Sequence, residues 1–208
     1  MDGRFDQFYA LEPEKQQRIL YAAMEEFAQH GFKRASTNAI VQAAGIGKGM
    51  LFYYFGNKEE LFEFLCEYAL EAPQNFLHQL QFDSDDYLQR YQTLAHQKQQ
   101  ILQQQPQLSR FFESLYRADS DSPCEKFAAR LEELRASMHH KLYDGLDYSL
   151  LRDDIAPVQA IEYMKWLLER YEQELMEQYK NDNLTQNVRE EWQRYYHFLA
   201  ELRKIFYK

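Results

Sequence analysis

Glycine and proline are scarce in this chain. Seven of 208 residues are Gly and five are Pro, where roughly 7% glycine is usual. An all-β sandwich or barrel of this length needs many more turn residues, which argues against that class. Cysteine is scarcer still: Cys66 and Cys124 are too few for a disulfide framework and fit a reducing compartment. No segment approaches the ~18 consecutive apolar residues of a membrane helix. The polar, acidic start MDGRFDQFYALEPEKQQ is no signal peptide. The chain reads as soluble and cytoplasmic, with no membrane partner.

Positive charge is also short, with 24 Lys+Arg against 33 Asp+Glu and a net charge of -9. Taken whole, that balance argues against nucleic acid, since a polyanion repels an acidic protein. Its distribution argues otherwise. The window from Gly31 to Lys58 has no Asp or Glu, yet carries Lys33, Arg34, Lys48 and Lys58. Residues 1–60 hold 7 basic and 8 acidic side chains, leaving 17 and 25 for the rest. Five of the seven glycines, Gly31, Gly45, Gly47, Gly49 and Gly56, fall inside the same window.

What is abundant is helical spacing. Pro13 suits a first turn, and Ile19, Leu20, Ala23, Met24 and Phe27 recur at three and four residues until Gly31. Ser36-Thr37 offers an N-cap for a short helix through Ala44, with Ala39, Ile40, Ala43 and Ala44 inward, and Gly45 suits the turn after it. A third helix is expected over 47–55. Asn57 and Glu60 resemble a capping box opening a long helix from Lys58 to about Ala72, ended by Pro73. Further helices are expected at 74–81, 85–104, 107–118, 123–146, 157–180 and 186–207. No strand-like alternation persists, so the fold class is all-α.

Three short helices with a glycine turn between the second and third spell a helix-turn-helix. Ala43 and Ala44 are small enough for a close helix crossing, Ile46 plugs the core, and Leu51, Phe52 and Phe55 anchor the third helix. Lys48, Met50, Tyr53 and Tyr54 are left to point outward, and Gly49 permits close approach to a phosphate backbone.

From Thr37 through Ala43-Ala44-Gly45-Ile46, Gly49, Leu51-Phe52, Tyr54-Phe55 and Lys58, the chain resembles the DNA-binding domain of the TetR/AcrR transcriptional repressors over about residues 13–62. It departs from that pattern at Gly47, where the family has Ser, at Val41 for Ala and at Phe52 for Tyr. The resemblance implies that Thr37, Tyr54 and Lys58 hold phosphates. It also implies that Lys48 and Tyr53 enter the major groove of a double-stranded operator, with Met50 touching an apolar base edge.

Residues 61–208 carry no catalytic or metal-ligating pattern. The six histidines lack zinc spacing, none has a Glu three residues before it, and His139-His140 point to different helix faces. No enzyme activity, cofactor or metal is expected. Two long helices have an apolar side including Met164, Leu168, Tyr171 and Leu175, then Trp192, Tyr195, Leu199 and Leu202. By resemblance these would form a homodimer interface, and packing within one chain is the alternative. By the same resemblance, Cys66, Phe76, Phe111, Phe112, Tyr116, Tyr163 and Trp166 are candidates to line a cavity for a small hydrophobic effector. Acids among the aromatics would also suit a cationic, amphipathic one.

The reading is a ligand-responsive repressor, with a DNA-binding domain at 1–56 and an effector and dimer domain at 57–208. Effector binding would release it from a palindromic operator. The alternative is a helical protein-interaction module that does not bind DNA.

Overall fold

The structure is a computed structural model that describes residues 5–117, 125–181 and 188–208. The side chains at 102, 116, 117, 125, 126, 175–181, 188 and 189 lie outside the described set. Ten α-helices carry the described chain: α1 (Asp6–Tyr9), α2 (Pro13–Arg34), α3 (Thr37–Ala44), α4 (Lys48–Phe55), α5 (Lys58–Gln79), α6 (Tyr87–Gln104), α7 (Pro106–Arg117), α8 (Glu125–Tyr143), α9 (Pro157–Asn181) and α10 (Val188–Phe206). A 3₁₀ turn spans Tyr148–Leu150. Among the described residues the only extended pairing is one isolated antiparallel bridge, Leu151 to Tyr207. The chain is all-α, as the spacing of its apolar residues requires.

Three boundaries differ from expectation. Gly31 breaks α2 with φ 68° and ψ 168°, yet helical turns resume to Arg34. Pro73 lies inside α5, which runs on to Gln79. A proline there removes one hydrogen bond and crowds the preceding turn. The buried stripe Leu65, Ala69, Leu70 and Leu77 nevertheless continues across it, so packing outweighs the local cost. The two helices expected at 58–72 and 74–81 are therefore one. The third difference is α1, which was not anticipated.

The chain divides into two compact units, residues 1–80 with 101–137 and residues 81–100 with 138–208. The first is built around α2, whose Ile19, Leu20, Ala23, Met24 and Phe27 are buried. α7 packs along it, burying Leu108 and Phe111, with Arg110 Nη1 3.3 Å from Glu25 Oε1. Phe111 meets the edge of Phe62 at 5.8 Å between centroids. Cys66 is buried in this core and is disulfide-bonded. That departs from the reducing compartment expected of so cysteine-poor a chain, because spacing cannot reveal a single pairing.

The second unit is held by a polar lattice around Arg90 and Asp86, both buried. Arg90 donates to the carbonyls of Lys141, Leu142 and Asp144 at the end of α8 at 2.5–3.2 Å. A buried guanidinium needs such a set of acceptors, and helix-end carbonyls have none of their own. Asp86 caps α6 by accepting from the Gln89 amide at 3.0 Å. It also accepts from the Tyr207 hydroxyl at 2.8 Å and pairs with Arg203 at 2.5 Å. Burial pushes the Tyr87 phenol far above its ordinary range, and its hydroxyl lies 2.9 Å from that of Tyr143.

Candidate nucleic-acid interface

The site begins at the end of α2. Ser36 is the N-cap of α3: its Oγ accepts from the Ala39 amide at 3.3 Å, and its own amide donates to Glu26 Oε1 at 2.8 Å. Thr37 follows as the first residue of α3, half-buried. Ile40 and Ala44 face the core, whereas Ala43 is exposed. The close crossing expected of both alanines therefore falls to Ala44 alone. Gly45 takes the left-handed conformation, φ 66° and ψ 39°, that lets the chain reverse without a Cβ clash. The Ile46 amide then bonds the Val41 carbonyl at 3.0 Å. Gly47, extended, starts α4 and offers no side-chain cap.

α4 divides into two sides. Leu51, Tyr54 and Phe55 are buried, and Phe52 is half-buried. Outward stand Lys48, Gly49, Met50 (40% exposed) and Tyr53 (62% exposed). Lys48 Nζ lies 6.0 Å from the Phe52 ring. Nothing lies within 4 Å of where a Gly49 Cβ would sit, so that face is open. Tyr54 needs correction: expected to point outward, it is 3% exposed. It falls three residues after Leu51 and directly before Phe55, on the helix side that packs inward.

Lys58 opens α5, and its Nζ donates to the carbonyls of Lys33 at 3.2 Å and Ala35 at 3.1 Å, lying 5.0 Å from the Phe32 ring. It clasps the carbonyl end of α2, where a cation is favoured by the helix dipole. Asn57 Oδ1 accepts from the Glu60 amide at 2.9 Å. Glu60 returns to the Asn57 side-chain amide at 2.6 Å rather than to its backbone, a variant of the expected capping box.

Two neighbours of this face were missed by sequence reasoning. Lys15 Nζ lies 5.9 Å from the Tyr54 ring, and Gln7 Oε1 accepts from the Tyr53 hydroxyl at 3.1 Å. The only signal for the latter was the pair Phe5 and Phe8, spaced as one helical turn around Gln7.

The remaining candidates are divided between the two units. Cys66 and Phe111 are buried in the first unit, with Phe112 half-buried against them; Phe76 is half-buried, and the Tyr116 side chain lies outside the described set. Tyr163 (40% exposed) and Trp166 (55% exposed) belong to the second unit and stand on the outside of α9. They are corrected from cavity lining to surface, since Ala160, Ile161, Met164 and Leu168 take the inward arc of that helix.

Most of the candidate dimer stripe packs within the chain, the alternative given for it. Met164, Leu168, Tyr195, Leu199 and Leu202 are buried and Tyr171 and Trp192 half-buried in the core of the second unit, while the Leu175 side chain is outside the described set. Helical periodicity identifies which side is covered, not what covers it. The exposed apolar residues of α9 and α10 include Tyr163, Trp166, Leu167 and Ile205. Among the described residues no helix is long and apolar enough to cross a membrane, and no three His, Cys, Asp or Glu side chains gather as metal ligands.

Comparison with known proteins bears on this face. A family model, bacterial regulatory proteins of the tetR family, matches residues 19–65. The HTH-type transcriptional regulator YhgD of Bacillus subtilis is 38% identical over 50 residues, which cover 24% of this chain and 26% of that protein. The HTH-type transcriptional repressor AcnR of Corynebacterium efficiens is 41% identical over 46 residues, 22% of this chain and 24% of that protein. The chain thus matches about a quarter of the length of these relatives. A TetR family transcriptional regulator from Chloroflexus aurantiacus shares the fold over 98% of each chain, with a TM-score of 0.61 and 19% identity.

Proposed function

We propose, from the match of residues 19–65 to the tetR family model of bacterial regulatory proteins, that the chain is a DNA-binding transcriptional repressor rather than an enzyme, acting in the cytoplasm. The observation that carries this is the outward face of α4. Lys48, Gly49, Met50 and Tyr53 stand exposed together, within a stretch of 28 residues, Gly31 to Lys58, that has no carboxylate. Such a face suits a groove walled by phosphates.

Lys48 and Tyr53 read base edges in the major groove, and Met50 meets an apolar one. Thr37 and Lys58 fix the register through phosphates. Tyr54 acts from beneath, with Lys15 above its ring as the cation that reaches outward. Residues 1–56 form the DNA-binding domain, and residues 57–208 bind a small hydrophobic effector and dimerise.

One helix-turn-helix gives too little affinity by itself, so the repressor works as a homodimer on a palindrome. The exposed Tyr163, Trp166 and Leu167 of α9, with Ile205 of α10, supply the surface for the second copy. Effector binding favours a state whose reading helices no longer match the half-site spacing, and α5 is the element that transmits it.

An electrophoretic mobility shift with the DNA upstream of its own gene tests the reading. Retention of that fragment over an unrelated one is expected. Equal retention of both, or none at low salt, overturns it in favour of a helical interaction module.

A further inference from the structure

The helix-turn-helix leaves one part of the first unit without a task. α1 precedes α2 and packs against α4 through two rings set three residues apart. Phe8 is fully buried, its centroid 5.0 Å from Phe55 and 5.3 Å from Phe64. Phe5 lies 4.7 Å from Phe64 and 6.1 Å from Phe55. Phe55 is also the last residue of α4, so α1 and α4 share one aromatic cluster. Close-packed rings of this kind leave little freedom for one helix to slide on the other.

Between the two anchors Gln7 turns to the outside, and its Oε1 accepts from the Tyr53 hydroxyl at 3.1 Å. Tyr53 is the most exposed aromatic side chain among the described residues. An exposed tyrosine samples several staggered rotamers, and ordering it on binding costs affinity. An acceptor carried on an anchored helix removes part of that cost beforehand.

We propose that Gln7 is a positioning residue for base reading: from α1 it holds the Tyr53 hydroxyl and sets the direction of the ring before DNA arrives. This rests on the DNA-binding reading above. It adds a specificity determinant outside the helix-turn-helix, some 46 residues before the side chain it directs.

The test uses the full chain, duplexes enriched from a random pool by the wild-type protein, and an unrelated duplex as the non-specific reference. Gln7→Ala is expected to weaken the enriched duplex about two- to tenfold, the range of one neutral hydrogen bond. The unrelated duplex and the melting curve are expected to be unaffected. In the Tyr53→Phe background, which lacks the donor, the same change is expected to have no further effect.

An equal loss in both backgrounds, an equal loss on both duplexes, or no loss in the wild-type background overturns the positioning role. No enrichment by the wild-type protein overturns the DNA reading and the role of Gln7 with it. Enrichment with an additive Gln7 effect overturns the role of Gln7 alone.

Discussion

The Lys58 ammonium, 3.2 Å from the Lys33 carbonyl and 3.1 Å from that of Ala35, ties the start of α5 to the end of α2 whether or not DNA is present. Its replacement therefore has two expected outcomes. Lys58→Ala should lower stability by about 1 kcal/mol in a denaturant titration, through the lost charge-assisted bonds. It should also weaken every duplex alike, flattening the plot of log affinity against log salt by about one unit as one phosphate contact goes. Lower stability with an unchanged salt slope would make Lys58 a clasp only. Tyr53→Ala is expected to differ in kind, altering preference between duplexes; uniform weakening measured by mobility shift would remove Tyr53 from base reading. Residues 53 and 54 also mark how far a pattern of letters reaches. Both are tyrosines, yet successive residues turn by about 100° around a helix, and only Tyr53 is outside. Lys58 was legible as a cation in the right place, but its two carbonyl partners come from the other side of the glycine turn and leave no trace in local spacing.

Helix α5 shows the same limit one level up. Proline is a strong stop signal, and a stop was expected at Pro73; the helix passes through it because Leu77 extends the buried stripe of Leu65, Ala69 and Leu70. A local penalty that packing tolerates should be recoverable. Pro73→Ala is expected to stabilise the protein by about 1–2 kcal/mol, the restored helical bond and relieved crowding outweighing the freer unfolded chain. Chemical denaturation measures it, and a destabilised variant would mean that the proline ring itself packs productively. The caps and the turn were more legible. Ser36 and Asn57 cap the helices they were expected to cap, and Gly45 turns between α3 and α4, because each of these signals acts within four residues. α1 was not legible, since a four-residue helix has no period to detect and owes its place to Phe55 and Phe64.

For the whole molecule, the chain's -9 charge describes neither part of it: residues 1–60 are close to neutral, the net negative charge lies after residue 60, and the stretch from Gly31 to Lys58 has no carboxylate. An acidic body repels DNA except where the reading face leads. The proposed dimer surface is the least legible feature, because the apolar stripes of α9 and α10 are spent on the core of the second unit and the residues left outside follow no long repeat. Trp166→Glu is expected to turn a sedimenting dimer into monomers, weaken operator binding about tenfold or more, and change stability by under about 0.5 kcal/mol, as for an exposed side chain. A dimer that persists would place the second copy elsewhere. Leu168→Glu, on the buried side, should instead unfold the unit.

The lock between Asp86 and Tyr207, a span of 121 residues, has a consequence in time. The amide of Leu88 donates to the same tyrosine oxygen, and the Lys208 amide reaches the Leu150 carbonyl. Contacts so distant in sequence form late. A growing chain can pack α2, α3 and α4 against one another long before Tyr207 is synthesised, whereas the second unit must wait for it. During translation, the helix-turn-helix is assembled ahead of the second unit.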